Sequence, residues 1–163
     1  EYEEFPAQIA QVAMWLIDHQ MNMLVSKTFG QYCARIPLTA SANILHADAL
    51  ETDWTSLVKP SELSYIIGNP PFLGAKLMSE VQRAQVVKSF GGSKGSGDID
   101  YVSAWYIKAA QYMQGTQIRT AFVSTNSITQ GAQVATIWKP LLDLGVKIHF
   151  AHRTFQWSNE AKG

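Results

Sequence analysis

Cysteine is nearly absent from this sequence of 163 residues: Cys33 stands alone. That excludes an internal disulfide framework and a cysteine-rich zinc site, and it fits a reducing compartment, the cytoplasm by default. Charge is scarce too. Asp, Glu, Lys and Arg make up 16% of the residues, and 13 basic against 13 acidic side chains leave a formal net charge of zero. The chain therefore carries no global basic field of the kind that announces a nucleic-acid binder, so any contact with DNA falls to a local patch or to sequence beyond these residues. Long apolar runs are missing as well. The most apolar stretch, residues 5–25, is interrupted by Asp18, His19, Gln20 and Asn22, so no membrane span is expected, and no charged-then-apolar leader precedes it. There is no initiator methionine, and Ala161-Lys162-Gly163 follow no visible element boundary. The expectation is one folded unit over residues 1–163, cut from a larger protein.

What is present is enough to fold. With 47% hydrophobic and 11% aromatic residues, the chain can bury sufficient apolar area to offset its conformational entropy around one core. Between Pro6 and Lys27 the apolar positions Ile9, Val12, Ala13, Leu16, Met23 and Leu24 recur at spacings of three, four and seven. This predicts a helix with one buried stripe, Pro6 suiting its first turn and Gly30 its exit. Short strands are expected over residues 43–47 and 63–67, the second stopped by Gly68 and two prolines. An amphipathic piece over residues 77–90 precedes Gly91-Gly92-Ser93-Lys94-Gly95-Ser96-Gly97, which reads as a mobile loop. A helix over 100–113, a buried strand over 119–124, a helix over 131–144 and a strand over 146–151 complete the series. Alternating strands and helices imply an α/β fold, with a mostly parallel sheet covered on both faces and ligands at the carboxyl ends of its strands.

The chemistry concentrates in Asn69-Pro70-Pro71-Phe72, placed after the apolar Ile66-Ile67-Gly68. Two prolines fix the backbone and remove two amide donors, leaving a turn that offers mostly acceptors. An exocyclic amine on an aromatic ring is a poor nucleophile because its lone pair is delocalised. The Asn69 side-chain carbonyl and the Pro70 backbone carbonyl can accept its two N–H protons and favour a pyramidal nitrogen, which is stabilisation specific to a transition state. Phe72 supplies a flat apolar face on which a base could stack, and a base inside a duplex must be flipped out to reach it. A strand followed by Gly-Asn-Pro-Pro can also be an ordinary strand exit. Asp48, taken alone, reads equally as a cap or a solvated loop acid.

Asn-Pro-Pro-Phe after an apolar strand resembles the fourth motif of the amino-methyltransferases. With His46-Ala47-Asp48-Ala49-Leu50 before it, and Asp100-Tyr101-Val102-Ser103-Ala104-Trp105-Tyr106, Phe122-Val123-Ser124-Thr125-Asn126-Ser127 and residues 146–163 after it, the chain resembles the large MmeI-like restriction-modification proteins. That resemblance implies a partial Rossmann-like fold dependent on S-adenosylmethionine, with the first strand and the glycine-rich loop ahead of Glu1 missing from these residues. It also implies methylation of the N6 amino group of a flipped adenine in double-stranded DNA, bound through the parent protein. By the same resemblance Glu1 holds the ribose hydroxyls of the cofactor, Asp48 with Ala49 its adenine, and Asn69 and Asp100 border it. Phe72 serves the base together with Phe155 or Trp157. Because the glycine-rich loop carries backbone contacts to the methionine end of the cofactor, the isolated chain is expected neither to bind the cofactor tightly nor to methylate DNA.

Two other functions share some of these features. Protein glutamine N5-methyltransferases use the same Asn-Pro-Pro turn on a planar amide, usually with Tyr where this chain has Phe72, and a degenerate core could serve as a non-catalytic DNA-binding module. No metal site is expected: His149 and His152 would point to opposite faces of a strand, and His19 and His46 lie far off in sequence. Lys147, Arg153 and Lys162 could line a DNA path or form a solvated edge. Trp105, Tyr106 and Tyr112 are core at helical spacing.

Overall fold

The computed structural model describes residues 1–30 and 42–155, which excludes Cys33, Trp157 and Lys162. The chain divides into two compact units, Glu1–Leu57 and Val58–Gly163.

In the first unit, helix α1 covers Glu4–Phe29 and ends at Gly30, whose φ of 67° closes the last turn through its N–H on the Ser26 carbonyl. The helix forms where the apolar spacing predicts it, but its stripe does not bury. Ala7 is its one buried residue, while Val12, Leu16 and Leu24 stand more than half exposed. Periodicity fixes the face a helix would bury; it does not supply the surface that covers it. Residues 43–46 carry no strand assignment. They pair instead with a single residue: the Glu1 main-chain nitrogen donates to the Leu45 carbonyl at 2.7 Å and the Ala47 N–H donates to the Glu1 carbonyl at 2.8 Å.

The second unit holds a core. Strands β1 (Tyr65–Gly68) and β2 (Arg119–Phe122) pair in parallel, Tyr65 opposite Arg119 and Gly68 opposite Phe122. Helices α2 (Glu80–Ser89) and α3 (Ser103–Tyr112) make the crossover, and α4 (Gln133–Asp143) follows β2. A capping box starts α2: the Ser79 hydroxyl accepts the Gln82 N–H and the Gln82 side chain accepts the Ser79 N–H. Val86, Ile99, Val102, Ile107, Ile137 and Leu141 are buried almost completely between these elements. Trp105, Tyr106 and Tyr112 are half-buried at the margin, Tyr112 donating to the Val58 carbonyl.

Two further expectations are corrected here, while on the sheet itself Tyr65 and Ile67 stand 64% and 77% exposed. Residues 146–151 form no strand and are mostly exposed, because a strand needs a ladder partner and none of the described residues offers one. The glycine-serine run is not loose. Gly91, Gly92 and Gly95 use positive φ to fold it back, Ser96 is buried, and the Arg83 guanidinium donates to the Gly97 carbonyl. No helix among the described residues is long and apolar enough to cross a membrane.

Candidate active site

Two groups of candidate residues emerge, one in each unit. In the first, two main-chain hydrogen bonds pair Glu1 with residues 45 and 47, just ahead of Asp48. Asp48 sits in a tight turn of its own making. Its Oδ1 accepts the Leu50 N–H at 2.8 Å, and its carbonyl accepts both the N–H and the hydroxyl of Thr52 at 2.9 and 2.6 Å. The Ala49 carbonyl accepts the Trp54 indole N–H at 2.9 Å. The carboxylate is thus held in one orientation at half-burial, while Glu1 is exposed. Carboxylates are suited to accept from ribose hydroxyls and an exocyclic amine, so these acceptors fit the chemistry of a nucleoside such as that of S-adenosylmethionine.

In the second group, β1 ends at Gly68, whose carbonyl accepts the Val123 N–H at 3.1 Å. The 69–72 turn leaves from there with Pro70 buried and Asn69, Pro71 and Phe72 exposed. Phe72 is 45% exposed, with ring surface open to a ligand. Behind the turn lies an aromatic layer. The Phe122 ring would lie 3.4 Å from a Cβ on Gly68. It packs edge-on against Tyr106 at a centroid distance of 5.2 Å, and Tyr106 meets Trp138 at 6.1 Å. Burial pushes the Tyr106 hydroxyl above its ordinary pKa, its hydrogen bond to Ser124 acting in the opposite direction.

The segment after the turn is clamped. The Leu73 carbonyl accepts the Tyr101 N–H at 2.9 Å, the Ala75 N–H donates to Asp100 Oδ1 at 3.2 Å, and the Ala75 carbonyl accepts Arg83 Nη2 at 2.8 Å. Asp100 is buried. Its other oxygen accepts from the Ser127 hydroxyl and from Gln133 Nε2, and its own N–H donates to Gln133 Oε1. The resemblance sets Asp100 at the cofactor border; the structure gives its carboxylate three protein donors. Asn126 follows β2 and donates to the Thr154 hydroxyl, and Phe155 is exposed; Trp157 lies outside the described residues. Lys147 and Arg153 are exposed. Among the described residues no three His, Cys, Asp or Glu side chains gather as a metal site would require.

Sequence reasoning missed Gly68 and Phe122 as a packed pair, and Arg83, Ser127 and Gln133 as anchors. Their partners lie 8 to 33 residues away in the anchors' case, beyond any local pattern. The Gly immediately before Asn69 was the one available signal.

A parallel strand delivering Asn-Pro-Pro-Phe from a mixed α/β fold defines a methyltransferase domain of partial Rossmann-like type. The chain belongs to the MmeI DNA-methyltransferase domain family, which it matches over residues 1–163. It is similar to DNA methyltransferase A of Bacillus subtilis (strain 168), with 37% identity over 165 residues covering 99% of this chain and 19% of that protein. A solved structure of the Type IIL restriction-modification enzyme MmeI in complex with DNA is 56% identical, with a TM-score of 0.90, and the match covers 100% of this chain and 22% of that one. The chain thus spans roughly a fifth of the length of each relative.

Proposed function

We propose that this domain supplies the catalytic centre of a bacterial restriction-modification protein that transfers a methyl group from S-adenosylmethionine to the N6 amino group of an adenine flipped out of double-stranded DNA. The observation that carries this reading is the 69–72 turn, exposing Asn69 and Phe72 at the carboxyl end of β1 while burying Pro70. The cofactor, when bound, supplies a methyl group on a positively charged sulfur. Glu1, Asp48 and Ala49 serve the nucleoside part of that cofactor, the two acids as acceptors. Asn69 Oδ1 and the Pro70 carbonyl would accept hydrogen bonds from the two amine N–H groups and turn the nitrogen lone pair toward the methyl carbon; the N–C bond would form as the S–C bond breaks, and one amine proton would then pass to solvent. Phe72 holds the base plane by stacking, aided by Phe155 or Trp157. The family match and the similarity to an MmeI–DNA complex support DNA as the partner, and a cytoplasmic setting goes with it. As a separate chain of 163 residues the domain is proposed to be inactive.

The test uses the full-length protein with isotope-labelled cofactor and DNA, followed by hydrolysis and chromatography of the bases. Label in N6-methyladenine supports the reading. Label in N4-methylcytosine changes the target base, and label on protein glutamine alone overturns the reading. Asn69→Ala is expected to lower kcat about 100- to 1000-fold, as loss of one preorganised transition-state partner does, with DNA affinity retained; unchanged kcat sinks the mechanism, as it would for a module that only binds DNA.

A further inference from the structure

We propose that Asp100 is a positioning residue for the 69–72 turn. It acts as the bolt that joins the segment leaving the turn to the exit of β2 and the start of α4. Three observations carry this. Its carboxylate is buried and accepts from three separate places in the chain: the Ala75 N–H, the Ser127 hydroxyl and the Gln133 amide. Its neighbour Tyr101 donates its N–H to the Leu73 carbonyl, one residue past Phe72, so residues 73 and 75 are both held by the 100–101 dipeptide. Gln133 is itself oriented by the Asp100 N–H and by its own donation to the Ser127 carbonyl at 2.9 Å. The knot therefore has one arrangement in which every member is paired.

The consequence is mechanical. Pro70 and Pro71 stiffen the turn, but a stiff turn attached to a free tail can still swing about its entry strand. Fastening residues 73 and 75 fixes the far end, so Phe72 and Asn69 are held from both sides. Arg83 holds the Ala75 carbonyl while Asp100 holds the Ala75 N–H, so this one peptide pair carries two tethers. Misplacement of about 1 Å at a reacting group can cost about 100-fold in rate, which is the scale expected for losing the bolt.

This inference rests on the methyltransferase reading, and its test separates the two. In the full-length protein, Asp100→Ala removes all three acceptor contacts, whereas Asp100→Asn keeps the shape and one acceptor oxygen. Expected are a kcat loss of about 100-fold for Ala and about tenfold for Asn, with KM for DNA and the cofactor Kd within about twofold of wild type. Hydrogen exchange should accelerate in residues 69–78 while residues 103–112 and 133–143 keep their protection. A raised cofactor Kd with kcat preserved at saturation would instead make Asp100 a cofactor ligand and overturn the proposal. Unchanged exchange in residues 69–78 overturns it regardless of activity, so a parent protein that fails to methylate DNA refutes the functional reading and leaves this one decided. Should Asp100→Ala not fold, Ser127→Ala and Gln133→Ala each remove one donor and are expected to give smaller kcat losses with the same flat KM; a KM effect alone from both counts against the bolt.

Discussion

Helices α1 and α4 are both rich in aliphatic and aromatic residues, yet they end in opposite circumstances. The 11 residues of α4 bury Ile137 and Leu141 completely, whereas α1, with 26 residues, buries only Ala7. Their tryptophans differ in the same way. Trp138 gives its indole N–H to the Ile128 carbonyl at 2.8 Å, while that of Trp15 is shielded from solvent without a partner among the described residues. The residues assigned to amine chemistry thus stand on a packed unit, and Glu1 and Asp48 stand on one with little core among its described residues. Catalytic geometry has to be held to a fraction of an ångström, so it belongs on the rigid scaffold. On the proposed function, the acids that would accept from ribose and adenine tolerate a softer mounting.

Four substitutions, the first two in the 163-residue chain and the others in the full-length protein, can break or sharpen that contrast. The largest effect is expected from paired truncations. In the 163-residue chain Ile137→Ala should cost about 2–5 kcal/mol of local stability, because it opens a cavity in a closed core, whereas Leu16→Ala on α1 should fall within about 0.5 kcal/mol. Hydrogen exchange of residues 133–143 and 4–29 reads both, and equal costs would mean that the α1 stripe is packed after all. A middle-sized effect should follow Phe72→Ala. Loss of base stacking weakens binding of DNA carrying an abasic-flanked or mismatched target by about 1–3 kcal/mol, measured by fluorescence titration, with the stability of the second unit unchanged. A drop in stability instead would show Phe72 to be a packing residue.

The smallest effect concerns pH. Burial holds the Tyr106 hydroxyl above its ordinary value of 10.0. A raised folded-state pKa adds stability that is fully present below pH 10.0 and is lost as pH climbs through the folded value. Urea midpoints of wild type should therefore fall more steeply above pH 10.0 than those of Tyr106→Phe, which lacks the titrating group. Parallel slopes would mean that the aromatic layer admits water.

Local signals carried well where one element decides its own form. The span of α1, its exit at Gly30, the strand entering Asn69 and the helices on either side of β2 all follow from periodicity, glycine and proline. What local signals could not carry was pairing at a distance. Among the described residues the 146–151 stretch has strand-like residues but gains no ladder, and the α1 stripe has helical spacing but gains no cover. The glycine-serine run looks loose by composition, yet Arg83, 14 residues from Gly97, holds it. Asp100 carried a role by resemblance, and its three donors, 25 to 33 positions away, lie outside any motif that spacing could reveal.

Gly68 gives the domain a rule of joint inheritance. A methyl group at position 68 would just touch the Phe122 ring at 3.4 Å. Residue 68 thus shares its space with residue 122, and the two face each other in the β1–β2 register. Anyone grafting the Asn-Pro-Pro-Phe loop into a related protein has to move positions 68 and 122 as one cassette. Among natural relatives, the pair should change together or not at all.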